Sequence, residues 1–149
     1  NCILDFDMPY VNNININFRF SIIIMMNIID LIGRILLSIL FLLNGFLKIN
    51  NYENTVEWME GFGMSGLFII PAIIIEILGS ILIIVGYKTK FAAAFLSLFC
   101  IITAIIFHND FDSSSEMTAF LKNIALAGGF LIIFAHGPKK YSIDKKINN

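Results

Sequence analysis

Charge is what this sequence has least of. Only 14% of its 149 residues are Asp, Glu, Lys or Arg, and 58% are hydrophobic, whereas soluble domains carry about 25% charged residues. Mean hydropathy is +0.83. That is more apolar surface than a soluble domain of this size can bury, so a lipid bilayer is the expected solvent and partner. The net charge of -1 comes without a basic run ahead of the C-terminus and without interleaved aromatic and basic residues. Nucleic acid is therefore not an expected partner. Two cysteines, Cys2 and Cys100, lie far apart, which excludes a CxxC redox motif and argues against a structural disulfide. No Cys, His and carboxylate cluster has metal-ligand spacing. No nucleotide-binding loop or nucleophile–base motif appears. No cofactor of the chain's own is evident.

Residues 1–24 differ from the rest. Asn1 is not an initiator, and Val11 to Asn17 alternates like a short strand. Met25 or Met26 reads as a natural start. This stretch is expected to be an unstructured extension or to precede the native start, and no function is assigned to it. It lacks the small-residue cleavage site of a signal peptide. Residues 25–149 form the expected membrane domain. The heavy use of Ile, Asn, Lys and Phe resembles an AT-rich coding bias, so single Ile or Asn residues carry little weight.

What is present is four apolar runs, at about 31–47, 67–86, 91–107 and 120–135. At about 1.5 Å per residue each crosses or nearly crosses a hydrocarbon core of roughly 30 Å. The fold class is therefore all-α, a four-span helical bundle. Lys88 and Lys90 join spans 2 and 3, and Lys139, Lys140, Lys145 and Lys146 follow span 4. The other two connections are acidic, with Glu53, Glu57 and Glu60 in one and Asp110, Asp112 and Glu116 in the other. The positive-inside rule then puts both termini in the cytoplasm. In the first outer loop, Asn54 with Glu57 reads as a capping box opening a short interfacial helix that Gly61 ends. Trp58 and Met59 are expected at the membrane surface.

A charge inside a span costs roughly 2.5–3.5 kcal/mol, so each one needs a reason. Arg34, Ser38, Phe41, Gly45 and Lys48 form one helical stripe, bordered by Asn44. Ala93, Ser97, Cys100, Ala104 and His108 form a second. Glu76 shares a side with Gly79 and Ser80, and Lys122 and Asn123 head a helix containing Ala127, Gly128 and Gly129. These small and polar faces are expected to meet in the bundle centre. Counting down each span from the outer surface places Arg34 and Glu76 within reach, and they are expected to pair. Asn44, Lys48, His108, Lys122 and Asn123 gather near the outer surface as a candidate pocket, with Asp110, Asp112 and Glu116 above them. The alternative readings are structural: Arg34 and Glu76 lock two helices, the lysines snorkel, and His108 caps a helix. His136 falls at the opposite face from His108, so one metal or haem cannot use both.

From Arg34 to Asp144 the chain resembles the DoxX family of small bacterial membrane proteins. The matching pieces are Gly33-Arg34, Asn44-Gly45 and Lys48, then Glu76 to Gly79, Gly86, the Lys88–Lys90 turn, Phe107-His108-Asn109, Phe120 to Asn123 and Gly128-Gly129. The run Gly137 to Asp144 resembles the family's G-x-G-x-x-S-x-D ending, with Lys139 standing where a second glycine is usual, which puts the turn geometry there in question. The resemblance implies a bacterial inner-membrane location and, through a member linked to thiosulfate:quinone oxidoreduction and another associated with redox-stress partners, a subunit or accessory of a redox system. A quinone is the cofactor class it admits, and a redox protein or a second copy the partner. A non-enzymatic assembly protein is the alternative, and a proton-linked or small-solute carrier using Glu76 the third; no inverted repeat supports that last reading.

Overall fold

The computed structural model describes residues 9–147, and the side chains of residues 16–147. Its elements are α1 (Pro9–Asn50), α2 (Tyr52–Gly61), a short 3-10 turn (Gly66–Phe68), α3 (Ile69–Val85), α4 (Thr89–Phe107), α5 (Ser114–His136) and α6 (Ile143–Ile147). Among the described residues there is no strand. Four helices, α1, α3, α4 and α5, are long and apolar enough to cross a membrane. α1 packs on α3, α3 on α4, α4 on α5, and α5 closes against α1.

The polar stripes do meet inside. Arg34, Ser38 and Phe41 of α1, Glu76 and Ser80 of α3, and Ala93, Ser97, Cys100 and Ala104 of α4 are all buried. Around them lie Ile83, Leu96, Ala127 and Phe130. Leu36, Phe91, Phe95 and Ile132 point outward instead, as lipid-facing side chains do. Gly45 shows why small residues line the contact: a Cβ there would lie 2.6 Å from Ile77 Cγ1. α1 and α3 could not approach this closely around a larger residue.

Two expectations need correction. The alternating stretch Val11–Asn17 lies within α1, which begins at Pro9. Nothing between Pro9 and Gly33 breaks the helix, so it propagates from the span, and proline suits a first helical position. Residues 1–8 lie outside the described residues, Cys2 among them. The short loop helix exists, but Asn54 does not cap it. The helix opens at Tyr52 with Asn51 at the cap position and no side-chain cap bond. It does end at Gly61, while the left-handed backbone falls two residues later at Gly63. Met59 is buried against Ile69 and Phe107 and is not a surface residue.

At the end opposite α2, the tail is clamped onto the bundle. α3 stops at Gly86, whose left-handed backbone caps it, and α4 starts after Lys88. The first amides of α4 have no partner within their own helix. Asp144 supplies one from the tail, accepting from Lys88 N–H (2.8 Å), Thr89 N–H (2.9 Å) and Thr89 Oγ1 (2.8 Å). An anion at a helix N-terminus is favoured by both those donors and the helix dipole. Gly86 O accepts from the Asp144 N–H, and a Cβ on Gly86 would run into Ser142 and Arg34. Glycine is therefore needed there twice, for its backbone and for its missing side chain. Lys139 takes no left-handed backbone, so the usual second glycine is not required.

Burial raises the Asp144 pKa, but the Thr89 and Lys88 donors and the Arg34 charge outweigh it and hold the carboxyl below the usual carboxylate range. With the folded value the lower one, the clamp is fully stabilising above the unfolded pKa of about 3.9 and weakens as pH falls through the folded value. The tail of detergent-purified protein should resist proteolysis equally from about pH 5 to 8 and open only below about pH 4. Asp144→Asn should give the open pattern already at neutral pH. Cleavage that rises between pH 8 and 5 in the wild type would contradict the clamp.

Candidate functional site

Arg34 and Glu76 are both buried, at 1% and 2% exposure, yet they do not pair. Gly45 lies against Glu76 and Ile77, which puts Arg34, eleven residues earlier, about 16 Å away along the helix axis. Counting each span from its own outer end hid this, because α3 and its preceding turn extend past the level where α1 meets Glu76. Each charge has found a nearer partner.

Arg34 spends its donors at the tail end. Nε contacts Asp30 Oδ2 (3.1 Å), Nη1 reaches the carbonyls of Ile83 (2.9 Å) and Ile84 (3.2 Å), and Nη2 donates to the Tyr141 carbonyl. Asp30 Oδ2 also accepts from the Lys139 N–H at 3.1 Å. One guanidinium thus ties α1, the end of α3 and the tail together, using the fork of donors that only arginine offers. Asp30 carried no signal in the sequence beyond its place one turn before Arg34.

Glu76 belongs to the other end. Lys48 Nζ lies 2.6 and 2.7 Å from its two oxygens, with the carboxylate side chain 3% and the lysine 25% exposed. The pair neutralises two charges where neither could stand alone. It lines a cavity of about 320 Å³ between the helices. All five residues expected at the outer pocket, Asn44, Lys48, His108, Lys122 and Asn123, line this one cavity, and Glu76 joins them. The remaining wall is apolar, from Phe41, Ile75, Phe99 and Leu126, with Trp58 and Met59 of α2 over it.

The polar rim is only partly satisfied. Asn123 Nδ2 donates to the Ala119 carbonyl at 3.0 Å. His108, which closes α4, has Nδ1 2.7 Å from Glu116 Oε2. Among the described residues, Lys122 has no ion-pair partner and the Asn44 amide no hydrogen bond. Trp58 stacks on Phe107 with ring centroids 4.7 Å apart, and Phe62 meets both rings. This aromatic cluster fixes α2 beside His108 and makes Trp58 a wall of the cavity.

The α2 residues were missing from the expected pocket, and Glu116 was expected above it but not as the partner of His108. A signal for Glu116 was available: Ser113 and Glu116 have capping-box spacing, and Ser113 does accept from the Glu116 N–H. That fixes Glu116 in the first turn of α5, within reach of His108. Nothing in the sequence indicated how the α2 loop folds back.

With an apolar wall, one neutralised ion pair, one unpaired cation and two amides, the cavity suits an amphipathic molecule with a polar head. Its size falls in the range of small-ligand sites. The DoxX family model matches residues 29–109, which run from α1 through His108. The chain belongs to the DoxX family. It is 37% identical over 118 residues to the inner membrane protein YqjF of Escherichia coli K12, covering 79% of this chain and 91% of that one. It is 32% identical over 123 residues to the inner membrane protein YphA of the same strain, covering 78% and 88%. A shorter likeness, 32% over 79 residues, joins half of this chain to 26% of the ER-derived vesicles protein ERV29 of Saccharomyces cerevisiae. No solved structure is significantly similar.

In this DoxX-family chain the Lys48–Glu76 pair carries a stability prediction. Glu76→Leu or Lys48→Met alone abandons a buried charge, a loss of about 3–5 kcal/mol for a fully buried pair and less for the partly exposed Lys48. Both should lower the unfolding midpoint in detergent. The double variant should recover more than half of the summed loss, and strictly additive losses would contradict the pairing.

Proposed function

We propose that the chain is a bacterial inner-membrane protein whose cavity holds an amphipathic, carbonyl-bearing ligand of the quinone type in the service of a redox system. The observation that carries this reading is the cavity's division of labour. Phe41, Ile75, Phe99 and Leu126 offer surface to a ring or chain, while Asn44 and Lys122 at the polar side have donors to give. A quinone carbonyl takes donors and brings no charge, so the Lys48–Glu76 pair can stay intact beside it.

The orientation follows from charge. Lys88, Lys90, Lys139, Lys140, Lys145 and Lys146 sit at the tail end, and Glu53, Glu57, Glu60, Asp110, Asp112 and Glu116 at the α2 end. By the positive-inside rule the tail end and both termini are cytoplasmic, and the cavity opens on the outer side with α2 at that interface. The E. coli relatives named as inner membrane proteins support the location. The redox role rests on what the family resemblance implies.

A second reading, an assembly protein without a ligand, is favoured by Arg34, whose donors are used in joining α1, α3 and the tail. The two readings separate in a binding experiment. Decylubiquinone titrated into protein in lipid nanodiscs should bind saturably, and Lys122→Ala and Asn44→Leu should each weaken it by about tenfold, the worth of a hydrogen bond in a desolvated site. Lys122 is exposed and without an ion-pair partner among the described residues, so its removal should leave the unfolding midpoint in place. Absence of saturable binding in the wild type would leave the assembly reading standing.

A further inference from the structure

His108 and Glu116 form a hydrogen-bonded unit at the cavity rim, joining the end of α4 to the first turn of α5. His108 follows the last residue of α4 and lines the cavity. Glu116 sits in the first turn of α5, held there by Ser113. Their side chains are 21% and 37% exposed, so the pair bridges the cavity and the surrounding water. An ionised carboxylate only accepts, so at 2.7 Å its partner Nδ1 carries the proton. In the neutral ring Nε2 is then an acceptor, and in the imidazolium it is a donor. The ring therefore offers the cavity one of two opposite hydrogen-bonding faces, and protonation alone decides which.

We infer that the His108–Glu116 pair selects between the carbonyl and hydroxyl forms of the cavity's ligand according to the protonation state of the imidazole. This rests on the ligand class proposed above and adds how the site tells its two forms apart. The imidazolium donates from Nε2 to a carbonyl oxygen. The neutral ring accepts at Nε2 from a hydroxyl. No bond is made or broken and no electron moves; the only exchange is one proton between the imidazole and water. A hydroxyl can also accept from the imidazolium, whereas a carbonyl has nothing to give the neutral ring, so by linkage a bound carbonyl form raises the affinity of the site for that proton more than a bound hydroxyl form does.

The other charges around His108 are accounted for. Glu116 and Lys122 belong to α5, Lys48 to α1 and Glu76 to α3. α2 contributes only uncharged residues to the lining, Thr55, Trp58 and Met59. Asp110 and Asp112 follow in the α4–α5 connection, where Asp110 Oδ1 accepts from the Asp112 N–H. Lys48 and Glu76 pair with each other, Glu116 is in direct contact with His108, and Lys122 is the one further charge on the lining.

The test uses decylubiquinone and its reduced form, kept anaerobic, on the full chain in nanodiscs between about pH 5.5 and 8, the interval in which imidazoles change charge. For the wild type the affinity ratio of oxidised to reduced ligand should fall about tenfold across that interval, as one charged hydrogen bond is exchanged for an acceptor facing an acceptor. His108→Gln should hold the ratio constant within about twofold. Glu116→Gln, whose amide can donate as well as accept, no longer holds the proton at Nδ1 and should make the change smaller than in the wild type. A ratio that changes with pH equally in wild type and both variants overturns the selection, as does a wild-type ratio that does not change. If neither ligand form binds the wild type, the quinone-type reading fails and this inference falls with it. Should His108→Gln not fold, the Glu116→Gln comparison decides alone.

Discussion

A charged group within an apolar span must be matched where it lies, and this constraint organises the bundle. The chain spends its few intramembrane charges in two places. Arg34 is surrounded by carbonyls from the end of α3 and from the tail, with Asp30 beside it. Glu76 is held by Lys48, about two turns of α3 away from the Ile83 and Ile84 carbonyls that Arg34 reaches. Between them run Ser38, Ser80, Ser97 and Cys100, all buried. Small and weakly polar side chains let the helices close on those two points without leaving space between.

The two ends do different work because their polar groups differ in how completely they are satisfied. At the tail end the groups that join the tail to the bundle have protein partners: Asp144 caps α4, Gly86 accepts from the Asp144 amide, Ser142 donates to the Lys139 carbonyl at 2.7 Å. That end is a clasp. At the α2 end Lys48 and Glu76 satisfy each other, but Asn44 and Lys122 face an open cavity, and α2 is fixed over it by Trp58 on Phe107. Unused donors above an apolar wall are what a ligand site requires and what a purely structural core avoids.

Much of this was legible in the sequence. The four spans follow from apolar length, and the stripes on α1, α3 and α4 follow from helical spacing, because burial in a bundle repeats every three or four residues. The five cavity residues were identified together because each lies near the same end of its own helix. What failed was whatever depended on register between helices. Arg34 and Glu76 were matched by counting each span from its own end, whereas Gly45 meeting Ile77 sets the true alignment. A count along one helix carries no information about its slide against another. The start of α1 was misjudged for a related reason: local alternation at Val11–Asn17 was outweighed by propagation of a helix already nucleated in the span. Glu116 was expected above the pocket but its pairing was missed although Ser113 marks its turn, since its partner His108 lies across a connection of irregular backbone.

The central claim is that the ligand occupies the cavity at the α2 end. A photoreactive azidoquinone with a short alkyl tail, cross-linked to the protein in nanodiscs and mapped by peptide mass spectrometry, tests it most directly. The account predicts labelling of cavity-lining segments, Leu40 to Lys48 of α1 and Lys122 to Leu126 of α5, suppressed by excess unlabelled quinone. Labelling confined to outward-facing residues such as Leu36, Phe95 or Ile132, or labelling that excess quinone does not suppress, would contradict it.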